Sequence, residues 1–174
     1  MLVSGEYSIP ADRDSVWQAL NATAVLQACI PGCTGITQLS ECEYDATVVT
    51  QFGAIRGSFG ARVQLTDLVP PERYTLKVEG RGGLAAYCRG TVRIVLKAEG
   101  SGTALQYDAE LALAGRLASL GARVAEIAAR KFAQDFFQTF TASFTPSVAG
   151  AAETAASDEF GPRSWWFRRA MNRK

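Results

Sequence analysis

Apolar and polar residues alternate with a period of two over most of the first 113 residues and with a helical period after that. This switch sets the expected architecture. Residues 2–9 read as a strand with Val3, Gly5, Tyr7 and Ile9 on one face, ended by Pro10. Asp12 or Asp14 can cap a short helix through Leu20 that buries Val16, Trp17 and Leu20. A second helical turn, Thr23–Ile30, stops at Pro31-Gly32. Tyr44, Ala46, Val48, Thr50 and Phe52 then share one strand face, opposed by Asp45, Thr47 and Gln51. Arg56–Leu68 sets Phe59, Ala61, Val63 and Leu65 against Arg62, Gln64 and Thr66. Pro70-Pro71 turns the chain into Tyr74, Leu76 and Val78, opposed by Thr75, Lys77 and Glu79. In Ala86–Lys97, Cys88, Val92, Ile94 and Leu96 face away from Arg89, Arg93 and Lys97. Gly100-Ser101-Gly102 makes a tight hairpin into Thr103–Leu113, where Leu105, Tyr107, Ala109, Leu111 and Leu113 oppose Gln106, Asp108 and Glu110. One polar face per strand and short turns predict an antiparallel sheet with a single buried side.

From Arg116 to about Phe144 the apolar stripe is Leu117, Leu120, Val124, Ile127, Phe132, Phe136, Phe140 and Phe144, as on one face of a helix ~40 Å long. A strand, two short helices, a run of about six strands and a long C-terminal helix make an α+β plan. The curved antiparallel sheet is expected to wrap around the helix and enclose an apolar cavity. Parity and helical phase assign its walls to Phe52, Phe59, Val63, Leu65, Tyr74, Leu76, Ile94, Tyr107, Leu111, Leu113, Leu117, Leu120, Gly121, Val124 and Ile127. Taken singly, each helical position in that set is also what a filled core presents. Two features favour a cavity. Gly121 in a helix interior costs ~1 kcal/mol relative to Ala, which suggests close approach of another group. Ala118, Ala122, Ala125, Ala129 and Ala133 form a ridge of small side chains that leaves room. Tyr74 and Tyr107 point inward and need hydrogen-bond partners, either backbone or a ligand carbonyl.

Charge and cysteine chemistry narrow the function classes. Residues 1–150 carry 13 Lys/Arg and 14 Asp/Glu, a net −1, whereas residues 151–174 carry 5 and 3, a net +2. A near-neutral body argues against nucleic acid. The chain has no histidine, which removes the commonest general base and the Ser–His and Cys–His nucleophile pairs. Cys29-Ile-Pro-Gly-Cys33 is looser than a C-x-x-C motif and has no second ligand pair, so no metal is expected there. Asp108 and Glu110 share an outer strand face and read as solvated charges. No apolar run approaches the ~20 residues of a membrane span, and no secretory signal is visible at the start. A cytoplasmic location, with Cys29, Cys33, Cys42 and Cys88 as free thiols, is the expectation.

The chain therefore divides into a body (1–145), a linker without apolar periodicity (146–163) and a basic-aromatic tail (164–174). In the tail, Trp165, Trp166 and Phe167 stand beside Arg168, Arg169, Arg173 and Lys174, with no acidic residue. Aromatic side chains favour the headgroup–acyl boundary, and each cation near an anionic leaflet contributes ~1 kcal/mol. The tail is expected to hold the domain against the inner face of the cell membrane, or against a protein partner.

Several motifs, each weak alone, are specific as a set: Ile9-Pro10-Ala11 with Val16-Trp17, Cys29-Ile-Pro-Gly-Cys33, Gly53-Ala-Ile-Arg-Gly57, Val63-Gln-Leu65 with Pro70-Pro71-Glu-Arg-Tyr74, Gly102-Thr-Ala-Leu-Gln-Tyr107 and Gly115-Arg-Leu-Ala-Ser-Leu-Gly121. Over residues 1–144 they resemble the CoxG family, that of the carbon monoxide dehydrogenase G-subunit, in the START/Bet v 1-like (SRPBCC) superfamily with its helix-grip fold. Departures at Ala114-Gly115 and Ala86-Tyr87-Cys88 lie near the expected cavity wall. The resemblance implies a non-enzymatic accessory protein of a molybdenum carbon monoxide dehydrogenase or related hydroxylase. It also implies membrane recruitment of that enzyme and an apolar ligand such as a quinone, menaquinone or ubiquinone, with no covalent cofactor. A recruitment or maturation adaptor with an incidental cavity is the second reading. An enzyme of the polyketide-cyclase type found on the same fold is the third, disfavoured by the missing acid–base groups.

Overall fold

The period-two alternation folds into one antiparallel sheet in the computed structural model, which describes residues 1–145 apart from 53, 54, 83–85 and 116; the side chains of 50–56 are likewise outside the description. The elements run β1 (Leu2–Ile9), α1 (Arg13–Leu20), α2 (Thr23–Cys29), β2 (Cys33–Ser40), β3 (Glu43–Phe52), β4 (Ile55–Val69), β5 (Arg73–Gly82), β6 (Ala86–Glu99), β7 (Gly102–Ala114), a 3₁₀ turn (Ala118–Leu120) and α3 (Ala122–Ala142). The seven strands lie in the order β1-β7-β6-β5-β4-β3-β2. Every β2–β7 neighbour follows in sequence, and β1 closes against β7 (Gly5 opposite Tyr107). The sheet is open between β1 and β2, so it is curved but not a closed barrel.

Parity settles which face is buried. Val3, Ile9, Tyr44, Leu65, Tyr74, Ile94, Leu96, Leu105 and Tyr107 all point to the concave side and are buried there with Val16, Trp17 and Leu20 of α1. The cap of α1 is Asp12, whose carboxylate accepts from the Ser15 amide (2.9 Å) and hydroxyl (2.6 Å). These hydrogen bonds hold the Asp12 carboxyl below its ordinary range. A carboxyl depressed in the folded state supports folding above its unfolded pKa, and that support fades as pH falls through the folded value. Asp12→Ala is therefore expected to lower the melting temperature at neutral pH, with the gap to the parent closing in acid as the parent carboxyl protonates through its depressed folded-state pKa. A gap that stays constant from neutral to acid pH would show that the cap contributes no carboxylate-specific stability.

β2 is the strand that alternation did not locate. Thr34, Thr37, Gln38 and Ser40 put polar groups on both faces, and its pairing with β3 shifts register twice, as an edge strand allows. Its entry is tied down at Gly32, where φ is +72°. The Gly32 carbonyl accepts from the Val49 amide (2.8 Å), and a Cβ there would sit 2.1 Å from the Val49 carbonyl oxygen. Only glycine fits this approach.

The C-terminal helix corrects the sequence reading in two ways. A continuous helix from Arg116 to Phe144 was expected, but α3 starts at Ala122, after the separate 3₁₀ turn. Its 21 residues span ~32 Å rather than ~40 Å. Gly121 lies at the break, not in the helix interior. Its φ of +83° is the left-handed conformation that glycine supplies, and a Cβ there would meet nothing within 4 Å. The inferred close approach is thus absent; the glycine is there for its backbone. The buried face is Ala125, Ala129, Ala133, Phe136, Phe137 and Phe140, with Phe144 following just after the helix. The expected stripe stepped five residues from Ile127 to Phe132, which turns about 140° around a helix of about 3.6 residues per turn and leaves its first half out of phase with Phe136 and Phe140. Val124 and Ile127 are 46% and 61% exposed, on the far side of the helix.

Aromatic stacking locks the second half of α3 in place. The Phe137 ring lies 4.4 Å from Tyr7 and 5.4 Å from Tyr107, centroid to centroid, and Phe140 contacts Phe136 and Phe144 at 5.7 and 5.2 Å. Glu126–Arg130 and Lys131–Asp135, one helical turn apart, pair on the exposed side at 2.9 Å and add a few tenths of a kcal/mol each. The closest approaches of α3 are to edge strand β1, to the 3₁₀ turn and to α2, which itself packs on the other edge strand, β2.

Candidate ligand-binding site

The concave face carries two separate apolar clusters rather than one continuous core. The larger surrounds the second half of α3; the smaller joins Ala86 and Leu117 with Phe59, Cys88, Leu113 and Leu120. Between them the strands present small side chains in register: Ala46 opposite Ala61, Ala61 opposite Gly80, and Gly80 opposite Cys88. Gly82 and Gly90 extend this floor on β5 and β6. Neighbours lie flat over the glycines. A Cβ on Gly82 would meet the Phe59 ring at 2.3 Å, one on Gly80 the Cys88 sulfur at 2.7 Å, and one on Gly90 the Leu111 side chain at 2.5 Å. These small residues, between two anchored clusters, make an apolar strip along the concave face, the trough, with the Phe59, Cys88 and Leu111 side chains folded over its glycines. Ala129 and Ala133 of α3 pack against the larger cluster at one end of it.

The residues assigned to a cavity from sequence fall into four places. Leu65, Tyr74, Ile94 and Tyr107 are buried in the larger cluster, with Val63, Leu76 and Leu111 packed against it. Phe59, Leu113, Leu117 and Leu120 form the smaller cluster at the other end. Gly121, Val124 and Ile127 are exposed. The Phe52 side chain and the whole tail, Trp165 to Lys174, lie outside the described residues. Ala46, Ala61, Gly80, Ala86 and Cys88 were not assigned to the site. The available signal was the run of Gly and Ala at inward-facing parity, where a filled core would carry branched side chains.

The polar groups near the trough are neutral at physiological pH. Burial raises the Cys88 thiol and the Tyr44, Tyr74 and Tyr107 phenols above their ordinary pKa values. Tyr74 packs edge-on against Trp17 (5.2 Å), and Tyr107 stacks on Phe137, so both phenols serve the core. Tyr44 sits beside the trough, in register with Val63, and its hydroxyl accepts from Gln38 Nε2 at 3.4 Å. Among the described residues, no three His, Cys, Asp or Glu side chains come together as a metal site. Cys29 is buried, and the Cys33 thiol contacts the Gly35 carbonyl (3.6 Å). The chemistry of this face is apolar and uncharged, with neutral hydroxyl and thiol groups as its polar atoms.

A seven-stranded curved sheet gripping a C-terminal helix, with α1 and α2 inserted after β1, recurs in known proteins. The profile of the CoxG family, the carbon monoxide dehydrogenase G-subunit, matches residues 5–144. The chain belongs to this family. Among solved structures, a conserved protein from Geobacillus kaustophilus aligns with a TM-score of 0.77 at 26% identity, over 82% of this chain and 94% of that one. A START superfamily protein from Mycobacterium smegmatis aligns at 0.62 with 12% identity, over 82% and 95%. The protein CV1439 from Chromobacterium violaceum also aligns at 0.62, with 15% identity, over 81% and 95%. At 12–15% identity the last two show the fold alone. No curated protein matches the chain. In each pairing about a fifth of this CoxG-family chain lies outside the match, and the profile ends at residue 144. No helix among the described residues is long and apolar enough to cross a membrane.

Proposed function

We propose that this CoxG-family protein is a non-enzymatic accessory protein of a molybdenum carbon monoxide dehydrogenase or a related hydroxylase. It holds an apolar ligand of the quinone class in the trough and is tethered to the inner membrane surface by its C-terminal tail. The observation that carries the reading is the small-residue floor between two apolar clusters: it is apolar and uncharged, and a shift of the Phe59, Cys88 and Leu111 side chains that cover its glycines would open it to a ligand. The absence of histidine and the raised phenol and thiol pKa values support a carrier over a catalyst. A quinone suits such a trough, since its ring and isoprenoid chain are apolar and its carbonyls accept from a neutral hydroxyl such as that of Tyr44. Trp165, Trp166 and Phe167 supply insertion, and the neighbouring cations supply attraction to an anionic leaflet.

Organic extraction of the purified full-length protein followed by mass spectrometry tests the ligand. A near-stoichiometric isoprenoid quinone is expected; an empty extract from protein purified without detergent leaves the recruitment adaptor as the better account. Sedimentation with anionic liposomes tests the tether. Truncation after Pro146 is expected to abolish co-sedimentation while leaving the melting temperature unchanged. Arg168→Glu/Arg169→Glu is expected to weaken binding most at low salt, because screening shortens the reach of charge to ~10 Å at 0.1 M. Trp165→Ala/Trp166→Ala is expected to weaken it at every salt concentration. Equal sedimentation of truncated and full-length protein would assign the aromatic cluster to a protein partner.

A further inference from the structure

The convex face of the sheet is electrostatically segregated although the body is near neutral. β5 is the middle strand of the seven. It points Arg73, Lys77 and Arg81 outward at four-residue intervals, so the three cations span ~27 Å along the strand. Arg62 on β4 and Arg89, Arg93 and Lys97 on β6 flank them, and all seven are exposed. The carboxylates on these three strands are Glu79 in the middle and Asp67 and Glu99 toward one end. Two cations are neutralised: Arg89 by Glu79 (2.9 Å), and Arg62 by a bidentate contact with Asp45 of β3 (2.9 Å to each oxygen). Arg93 stands in register with Asp108 of β7 but makes no ion pair with it. Among the described residues, Arg73, Lys77, Arg81 and Lys97 are likewise unpaired. Acidic residues border the stripe on both sides: Glu43 and Asp45 on β3, Asp108 and Glu110 on β7, and Glu6 on β1.

Both ends of the stripe are indented. Around Arg81 a depression of about 440 Å³ is lined by Asp45, Thr47, Gly60, Arg62 and Glu79, with Asp45 and Glu79 already paired to Arg62 and Arg89 and Arg81 left unpaired among the described residues. The outward-facing Gly60, with no side chain, stands in register between Thr47 and Arg81. At the other end a depression of about 330 Å³ is lined by Arg13, Glu72, Arg73 and Lys97. We propose that this face is a docking surface for an acidic protein ridge, a row of Asp or Glu side chains laid along β5. The cation-rich dent at the Arg73 end receives a protruding carboxylate, and the unpaired Arg81 offers a single cation at the other. The acidic borders limit the partner to a narrow negative strip and repel a broad one, which sets orientation. A lipid surface is the poorer fit. It is uniformly anionic and would meet the acidic borders, and the exposed large aliphatic side chains on the neighbouring strands, Val49 of β3 and Leu68 of β4, stand singly rather than as an insertable patch. The surface is distinct from the trough and from the tail, and it does not depend on the ligand reading.

The test is fluorescence anisotropy of a labelled polyglutamate peptide, about 20 residues long, with the full-length protein at low and moderate salt. Arg73→Glu/Lys77→Glu/Arg81→Glu is expected to raise Kd by about tenfold or more at low salt, since rim charges act through an ion-screened field. Arg168→Glu/Arg169→Glu in the tail is expected to raise it by less than about threefold. The neutral variant Arg73→Gln/Lys77→Gln/Arg81→Gln should fall between parent and reversal, and an unchanged melting temperature in either face variant shows that the sheet is intact. The proposal is overturned if the reversal variant binds within about twofold of the parent, or if the tail variant loses as much. It is also overturned if phosphatidylglycerol vesicles lose the reversal variant by the same factor as the peptide does, which would make this a lipid-facing surface.

Discussion

Phe140→Ala is expected to lower the unfolding free energy by ~3–5 kcal/mol, in the range of large-to-small changes at fully buried aromatic positions. Phe140 is fully buried, and its ring is held between Phe136 of the same helix and Phe144 in the turn that follows it. The loss would be a large share of the ~5–15 kcal/mol typical of a domain, because α3 reaches the rest of the protein mainly through this half. Phe132, only half-buried, should cost much less when truncated. Denaturant titration of the two variants checks the contrast. A loss below ~1 kcal/mol for Phe140→Ala would mean that α3 is held elsewhere, and that the aromatic ladder does not anchor it.

The strands were legible because each exposes one face. A half-buried strand must alternate, and Tyr44 to Phe52, Phe59 to Leu65 and Leu105 to Leu113 all do so with the parity that the register later shows. β2 was not legible for the complementary reason: an edge strand with polar residues on both sides has no preferred parity. The error in α3 has two physical origins. A helical stripe can be extended through Leu117 and Leu120 only if the helix is continuous, and the left-handed Gly121 breaks it. Within α3 itself the five-residue step from Ile127 to Phe132 turns about 140° around the axis, so alanines rather than Val124 and Ile127 share the buried face with Phe136 and Phe140. A glycine within an apparently periodic run carried two readings, close approach or a break in phase, and only its φ distinguishes them.

The trough was half legible. Counting large inward residues identifies the clusters that bound a space, since those residues make the contacts; the space itself is lined by what is missing. The glycines at 80, 82 and 90 and the alanines at 46 and 61 were visible as composition but fall outside any set chosen by size. Register was needed to align Ala46, Ala61 and Gly80 across three strands, because the number of residues in each turn shifts the pairing.

Ala61→Phe should empty the trough of ligand while leaving the fold in place. Ala61 faces inward between Ala46 and Gly80, so a benzyl group there projects over the floor where neither neighbour has bulk. If the space is free, the ring fills it, the stability change stays within ~1 kcal/mol, and extractable ligand falls by about tenfold or more. If the space is packed core, the same ring overpacks it and destabilises the domain by ~1–3 kcal/mol, with no ligand to lose. Ile127→Ala is the matched control, since that side chain is 61% exposed on the far side of α3 and should change neither quantity. Thermal melting and mass-spectrometric recovery from the same preparation separate the cases. Lost stability without lost ligand would leave a filled core along the concave face, and the docking stripe and tail as the surfaces through which the protein acts.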